Sequence, residues 1–218
     1  MLRLAQWIPF AAFSVAAFAQ APPDFHWCTL NGGGGYAFAV GKDGSNLSGQ
    51  WTAGAGAGFA AVAPSVSSRW SLFINVDYFF ARYQVNRGAI IQAGNLNPTD
   101  TGLLNATGGS TRFNVVALDP TVRYGLSKHF ELYSFAGFGW FRRAVDLTGV
   151  SSQGSLLQPA SPSVFLRNST SGSVDGGAGV NWRPGRSPIS IYFEARVVHG
   201  MAINHTATLI PIGIGIRY

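Results

Sequence analysis

The sequence predicts an all-β protein: an eight-stranded antiparallel up-and-down transmembrane β-barrel after an N-terminal signal peptide. Three observations predict it. Apolar residues alternate with polar or small ones in eight successive segments, which is the period of a strand and not of a helix. The connections between these segments are short on one side and longer on the other, as in barrels that cross an outer membrane. The acidic residues carried by the segments all fall on the face opposite the aliphatic stripe.

Residues 1–19 read as a processing segment. Arg3 supplies the positive start, LAQWIPFAAFSVAA the apolar core and Ala17-Phe18-Ala19 a small-x-small cleavage site. The apolar core is shorter than the ~18 residues of a membrane anchor and breaks at Pro22-Pro23. The mature chain is expected to begin at Gln20, with residues 20–31 as an N-terminal segment and 32–218 as the barrel. Beyond the signal no stretch supplies the roughly 20 consecutive apolar residues of a spanning helix. Cys28 is the single cysteine, so no internal disulfide forms, and a half-buried thiol is expected there.

Composition narrows the function classes. The 218 residues suit one domain, and only 11% are charged against about 25% in soluble domains. An apolar content of 47% argues against disorder. The formal charge of +6 is carried almost wholly by arginine, with Lys42 and Lys128 the only lysines. These residues do not cluster in one run, so no nucleic acid is expected as a partner. The charge reads instead as a surface that meets anionic lipid headgroups.

In chain order, GYAFAVG (35–41) places Tyr36, Phe38 and Val40 on one side. WTAGAGAGFA (51–60) groups Trp51, Ala53, Ala55, Ala57 and Phe59 against Gly54, Gly56 and Gly58. WSLFINVDYFF (70–80) sets Trp70, Leu72, Ile74, Val76, Tyr78 and Phe80 against Ser71, Phe73, Asn75, Asp77 and Phe79. FNVVALDPTVRYG (113–125) sets Val116, Leu118, Val122 and Tyr124 against Asp119, Thr121 and Arg123. FELYSFAGFGWF (130–141) sets Leu132, Ala136, Phe138 and Trp140 against Glu131, Tyr133, Phe135, Gly137 and Gly139. SVDGGAGVNW (173–182) sets Val174, Ala178, Val180 and Trp182 against Asp175, Gly177, Gly179 and Asn181. ISIYFEARVV (189–198) sets Ile189, Ile191, Phe193, Ala195 and Val197 against Tyr192, Glu194 and Arg196. TLIPIGIGIRY (208–218) closes the series with Ile210, Ile212, Ile214, Ile216 and Tyr218 on one face and Gly213, Gly215 and Arg217 on the other.

APSVSS, GLSKH and RPGRSP are the short turns; GKDGSNLSGQ, the 84–111 stretch and the 147–170 stretch are the longer loops, and HGMAINH is a short link on their side. Which face looks at lipid follows from the glycines. The charged face also carries them, and an eight-stranded lumen is only just wide enough for side chains to fill it. Gly177/Gly179 and Gly213/Gly215 leave room for Tyr192, Glu194 and Arg196 of the strand between them. Trp70, Tyr78, Tyr124, Trp140 and Tyr218 sit mostly at segment ends, where interfacial girdles lie. The oily face is therefore expected to be the outside. Pro120 and Pro211 each remove a ladder hydrogen bond, and bulges or strand ends are expected at both.

YSFAGFGWF, FEAR and the final IPIGIGIRY, in this order and spacing, resemble the small eight-stranded outer-membrane barrels, the group that includes the OmpA transmembrane domain and OmpX-like proteins. The resemblance spans roughly residues 30–218. It implies a bacterial outer membrane, outer-membrane lipid and lipopolysaccharide as surroundings, and a monomer. The terminal aromatic strand is similar to the signal read by the barrel-assembly machinery, which implies that role for Ile212, Ile214, Ile216 and Tyr218. No peptidoglycan-binding domain is expected after Tyr218.

Asp77, Asp119, Arg123, Glu131, Asp175, Glu194, Arg196 and Arg217 form the candidate lumen charge network, either as closed structural pairs or as an ion path. A continuous pore is not expected at eight strands. Arg82, Arg87, Arg112, Arg142, Arg143 and Arg167 lie on the long-loop side, as a rim contacting lipopolysaccharide phosphates or as a solvated basic rim. His199 and His205, with Asn204, stand near the last hairpin. Lipid A deacylase barrels look similar in this region but use a Ser two residues after the His, where this chain has Met201. No catalytic, metal or cofactor site is expected, and neither GKDG nor NGGGG has the strand–helix context of a phosphate loop. The expected function is structural, adhesive or surface-interacting, with the second and third external loops carrying specificity. The rivals are a lipid A-modifying enzyme, a narrow solute channel and a secreted lipocalin-like binder.

Overall fold

The computed structural model describes residues 25–41, 47–65, 68–86, 108–148, 168–185, 187–202 and 205–218. Over them the chain forms eight strands: β1 (Cys28–Val40), β2 (Leu47–Val62), β3 (Trp70–Val85), β4 (Gly108–Gly125), β5 (Phe130–Thr148), β6 (Ser169–Trp182), β7 (Ser190–Ala202) and β8 (His205–Arg217). Each pairs antiparallel with its neighbours in sequence, and β1 closes on β8 to complete a barrel. The seam runs from Asn31 opposite Arg217 to Val40 opposite Thr208. It is extended by Leu30, whose N–H donates to the Tyr218 carbonyl at 2.9 Å while the Tyr218 N–H donates to the Leu30 carbonyl at 2.8 Å. Closure leaves no unpaired edge, which a lipid environment requires.

The oily face is outside. In β3, Trp70, Val76 and Tyr78 are exposed while Ser71, Phe73, Asn75 and Phe79 between them are buried. The same parity holds in β8, where Ile212, Ile214 and Ile216 face out and Arg217 is buried. Ten residues separate Trp70 from Phe80, roughly 33 Å along a strand. At the ~40° tilt of such barrels that is a height of about 25 Å, the thickness of the apolar band. Phe130 and Trp140 of β5 stand the same distance apart. Ring pairs mark the two borders: Trp70 with Tyr124 at 4.6 Å near the short-turn end, Trp51 with Phe80 at 5.0 Å near the long-loop end.

Several boundaries differ from the sequence expectation. β1 starts at Cys28, not at residue 35, because the NGGGG run pairs on both sides, Gly33 with Gly54 and with Gly215. A Cβ on Gly33 would lie 2.6 Å from the Tyr192 hydroxyl, so the missing side chains are what admits Tyr192 to the lumen. Cys28 is exposed, opposite Phe59 on the outer face, and not half-buried. β2 to β6 reach further into the long-loop side than alternation alone indicates, taking in 47–50, 84–85, 108–112, 142–148 and 169–172. The wall there stands above the band.

Neither proline makes a bulge or ends its strand. β4 keeps one register with β3 through Ile74 opposite Pro120, and β8 keeps one with β1 through Ala37 opposite Pro211. Pairing lapses only on the other flank, at Asp119 and Pro120 towards β5 and at Ile210 and Pro211 towards β7. An antiparallel residue offers its N–H to one neighbour only, so each proline loses a bond on a single side. The register shifts lie instead between β2 and β3, at Gly49/Thr52 and Ala60/Val62.

Candidate functional site

The interior is layered along the barrel axis. At mid-height Arg196 of β7 gathers four carboxylates. Its Nη1 is 2.9 Å from Asp175 Oδ2 and 3.1 Å from Asp119 Oδ2, its Nη2 is 3.0 Å from Asp77 Oδ2, and its Nε is 3.2 Å from Glu194 Oε1. The guanidinium lies 4.4 Å from the Phe135 ring centre. Tyr133 O–H donates to Glu194 Oε2 at 3.0 Å, and Asn31 Nδ2 donates to Asp77 Oδ1 at 3.2 Å. A planar fork with five N–H donors suits such multiple pairing where an ammonium would not. The flanking glycines make the space: Gly177 stands opposite Arg196, Gly179 opposite Glu194 and Gly213 opposite Glu194 on the other side.

Below this layer, towards the short turns, lie Arg123 and Arg217, both buried. Arg123 stacks 3.5 Å over the Phe73 ring and donates from Nη2 to Thr29 Oγ1 at 3.3 Å. Arg217 sits 4.6 Å from the Tyr133 ring centre and 5.3 Å from that of Tyr192. Glu131 accepts from Asn181 Nδ2 at 2.6 Å. These residues roof a vestibule of about 760 Å³ that opens between the short turns.

Above the Arg196 layer the lumen is mainly apolar, with Arg143 and Thr111 buried among the apolar side chains. Phe79, Tyr83, Phe113, Val115, Phe141, Val198 and Leu209 form one buried cluster, with Tyr83 and Phe141 both packed on Phe113 at 5.3 Å. The charges are thus not spread evenly; the long-loop half is largely a hydrophobic plug. Sequence parity places Phe79 and Phe135 on the inner face, and in the structure that parity continues beyond Phe80 and before Phe113, where the polar composition resembles loop.

The rim divides. Arg82, Arg112 and Arg142 are exposed on the outer face, each one outward step beyond the girdle positions Phe80, Asn114 and Trp140. Arg82 stands directly opposite Arg112, and Arg112 forms a salt bridge with Asp146. Arg143 does not belong to the rim: it is 2% exposed and points into the barrel, because its parity in β5 is that of Phe141 and Tyr133. Arg87 and Arg167 lie outside the described residues. Ile212, Ile214 and Ile216 face outward, and Tyr218 is held at the seam. His199 is on the outer half of β7, with Nδ1 2.9 Å from Thr208 Oγ1, and Met201 beyond it is exposed. Asn204 and the His205 side chain lie outside the described residues.

A closed eight-stranded wall with an outward apolar band, aromatic borders and an occupied interior defines a transmembrane barrel of the outer-membrane class. No family model and no curated protein sequence matches the chain. Among solved structures it is similar to Neisserial surface protein A (NspA), with a TM-score of 0.54 and 13% identity over 88% of this chain and 96% of that one. It also aligns with Ail of Yersinia pestis, solved in complex with the heparin analogue sucrose octasulfate (TM-score 0.46, 11% identity, 88% and 97% covered). The N-terminal β-barrel domain of Pseudomonas aeruginosa OprF aligns as well (TM-score 0.44, 11% identity, 88% and 98% covered). The likeness is one of fold. What the chain shares with them is the closed eight-stranded antiparallel barrel.

Proposed function

We propose that this barrel is a non-conducting outer-membrane protein with a structural, adhesive or surface-interaction role, exerted through the segments that join its strands on the long-loop side. The observation that carries this reading is the filling of the lumen: an apolar plug around Phe113 stacked on the Arg196 layer. Four carboxylates held by one guanidinium favour structural pairing over an ion path, since a moving ion would have to break a buried pair. An acyl-hydrolase reading has less support. His199 bonds Thr208 on the outer wall, and the position two residues on is Met201, which offers no nucleophile.

The basic rim supports lipopolysaccharide as a binding surface. Arg82, Arg112 and Arg142 project just beyond the apolar band, at the height of outer-leaflet phosphates, for which guanidinium forks are well suited. The outward isoleucines of β8 and Tyr218 support delivery by the barrel-assembly machinery, and the barrel closed by its own seam acts as a monomer.

Planar-bilayer recording of the folded protein tests the central part. No discrete conductance steps are expected; reproducible steps that disappear on boiling would replace this reading with the channel. Replacing 87–107 and 149–167 by short turns should abolish surface attachment while the barrel still migrates faster unheated than boiled. Changing Arg82, Arg112 and Arg142 to Gln should weaken lipopolysaccharide association by about 1 kcal/mol per arginine. Arg112 should contribute least, because Asp146 already engages it.

A further inference from the structure

We propose that the vestibule at the short-turn mouth, which faces the periplasm in this class of barrel, is a binding site for a phosphate-bearing anion. Its lining carries five permanent cations, Arg69, Arg123, Lys128, Arg183 and Arg217, against a single side-chain carboxylate, Glu131. That carboxylate is already engaged by Asn181. The two arginines of the roof are almost wholly buried, at 4% and 5% exposure, yet neither has a carboxylate within salt-bridge distance among the described residues. The Nε of Arg123, the Nε of Arg183, and both Nε and Nη1 of Arg217 have no acceptor there.

Burying a charge without a partner is costly, and the same barrel shows the alternative in the layer above, where Arg196 holds four carboxylates. The interior segregates its charges instead of pairing them evenly: carboxylates at mid-height, free guanidinium donors below. Phe73, Tyr133 and Tyr192 fix the planes of the two roof arginines by stacking, so their donors are preorganised and lose little freedom on binding. Forked donors converging from two sides match the tetrahedral oxygens of a phosphate, and a volume of about 760 Å³ accepts a small phosphate ester or a lipid headgroup. The site is separate from the outer rim, lies at the other end of the barrel and does not depend on the surface role proposed above.

The test uses the full folded barrel in nanodiscs of zwitterionic phosphatidylcholine, titrated calorimetrically with inorganic pyrophosphate. Saturable binding of one pyrophosphate per barrel is expected. Arg217→Gln and Arg123→Gln should each weaken it by roughly tenfold, the loss of one charge-assisted hydrogen bond, whereas Arg112→Gln at the outer rim should leave it unchanged. Should either inner variant fail to fold, phenylglyoxal labelling of the unaltered protein gives the same information. Saturating pyrophosphate should shield Arg123 and Arg217 and leave Arg112 reactive. Repeating the titration with phosphatidylglycerol in the nanodisc separates the sources: competition identifies a lipid headgroup as occupant, and undiminished binding identifies a soluble phosphate. Absence of saturable binding to the folded barrel, or equal labelling of Arg217 with and without pyrophosphate, would overturn the proposal.

Discussion

Arg196 stands within 3.2 Å of oxygens from Asp77, Asp119, Asp175 and Glu194, so its removal leaves two buried and two half-buried carboxylates without their common cation. Arg196→Met is expected to destabilise the barrel by about 3–5 kcal/mol, measured as a lowered urea midpoint by tryptophan fluorescence in lipid vesicles. Arg196→Lys should lose less, because the charge stays while the fork is lost. Gly179 is the steric counterpart: a Cβ there would lie 2.4 Å from the Tyr133 ring. Gly179→Val is expected to cost about 1–3 kcal/mol by overpacking. Combined with Tyr133→Ala, the total loss should fall short of the sum of the two single losses, since the ring clash is gone and only that with the Phe193 carbonyl, at 2.5 Å, remains. At this scale parity made the inward residues legible, Arg196 and Tyr192 among them. Which arginine gathers the carboxylates was not legible. That depends on register between strands distant in sequence, such as Asp77 and Arg196, and alternation within one strand carries no register. Arg143 was misplaced for a related reason: a charged residue near a loop reads as rim until the strand is known to run on past it.

The elements follow from a two-residue period whose apolar half meets lipid. Val76 of β3 lies near the middle of the band between Trp70 and Phe80 and is 52% exposed on its outer face. Val76→Arg should therefore destabilise the folded state by about 2–4 kcal/mol, read from the same unfolding curves, while a charge at Arg82's height is tolerated. Existence and order of the strands were legible because eight alternating segments and their turns all point to one topology. Their ends were not. Gly32 to Gly35 carry no side chains to alternate, and the polar tops of β4 to β6 above the apolar band have the composition of loops although their backbones pair. Neither proline makes the expected bulge or strand end, because the one lost hydrogen bond falls on a single flank and the other flank keeps its register.

For the molecule as a whole, the strands exceed what the bilayer demands. β4 and β5 contain 18 and 19 residues, against the ~9–11 of a spanning strand, so the wall of β3 to β6 continues past the apolar band on the long-loop side. The interior is plugged by apolar side chains at that end, braced by the Arg196 layer in the middle and open as a basic vestibule at the other. This asymmetry is invisible in composition, which records only a formal charge of +6. Everything rests on the apolar face being the outer one in a lipid bilayer. The most direct test places one thiol at Val76 in a Cys28→Ser background, labels it with an environment-sensitive fluorophore and reconstitutes the folded barrel with lipids brominated at different depths. The structure predicts strongest quenching by bromines near the bilayer centre and little by aqueous iodide. Quenching by iodide with none from the lipid would contradict it, and would turn the sheet inside out into a water-soluble barrel.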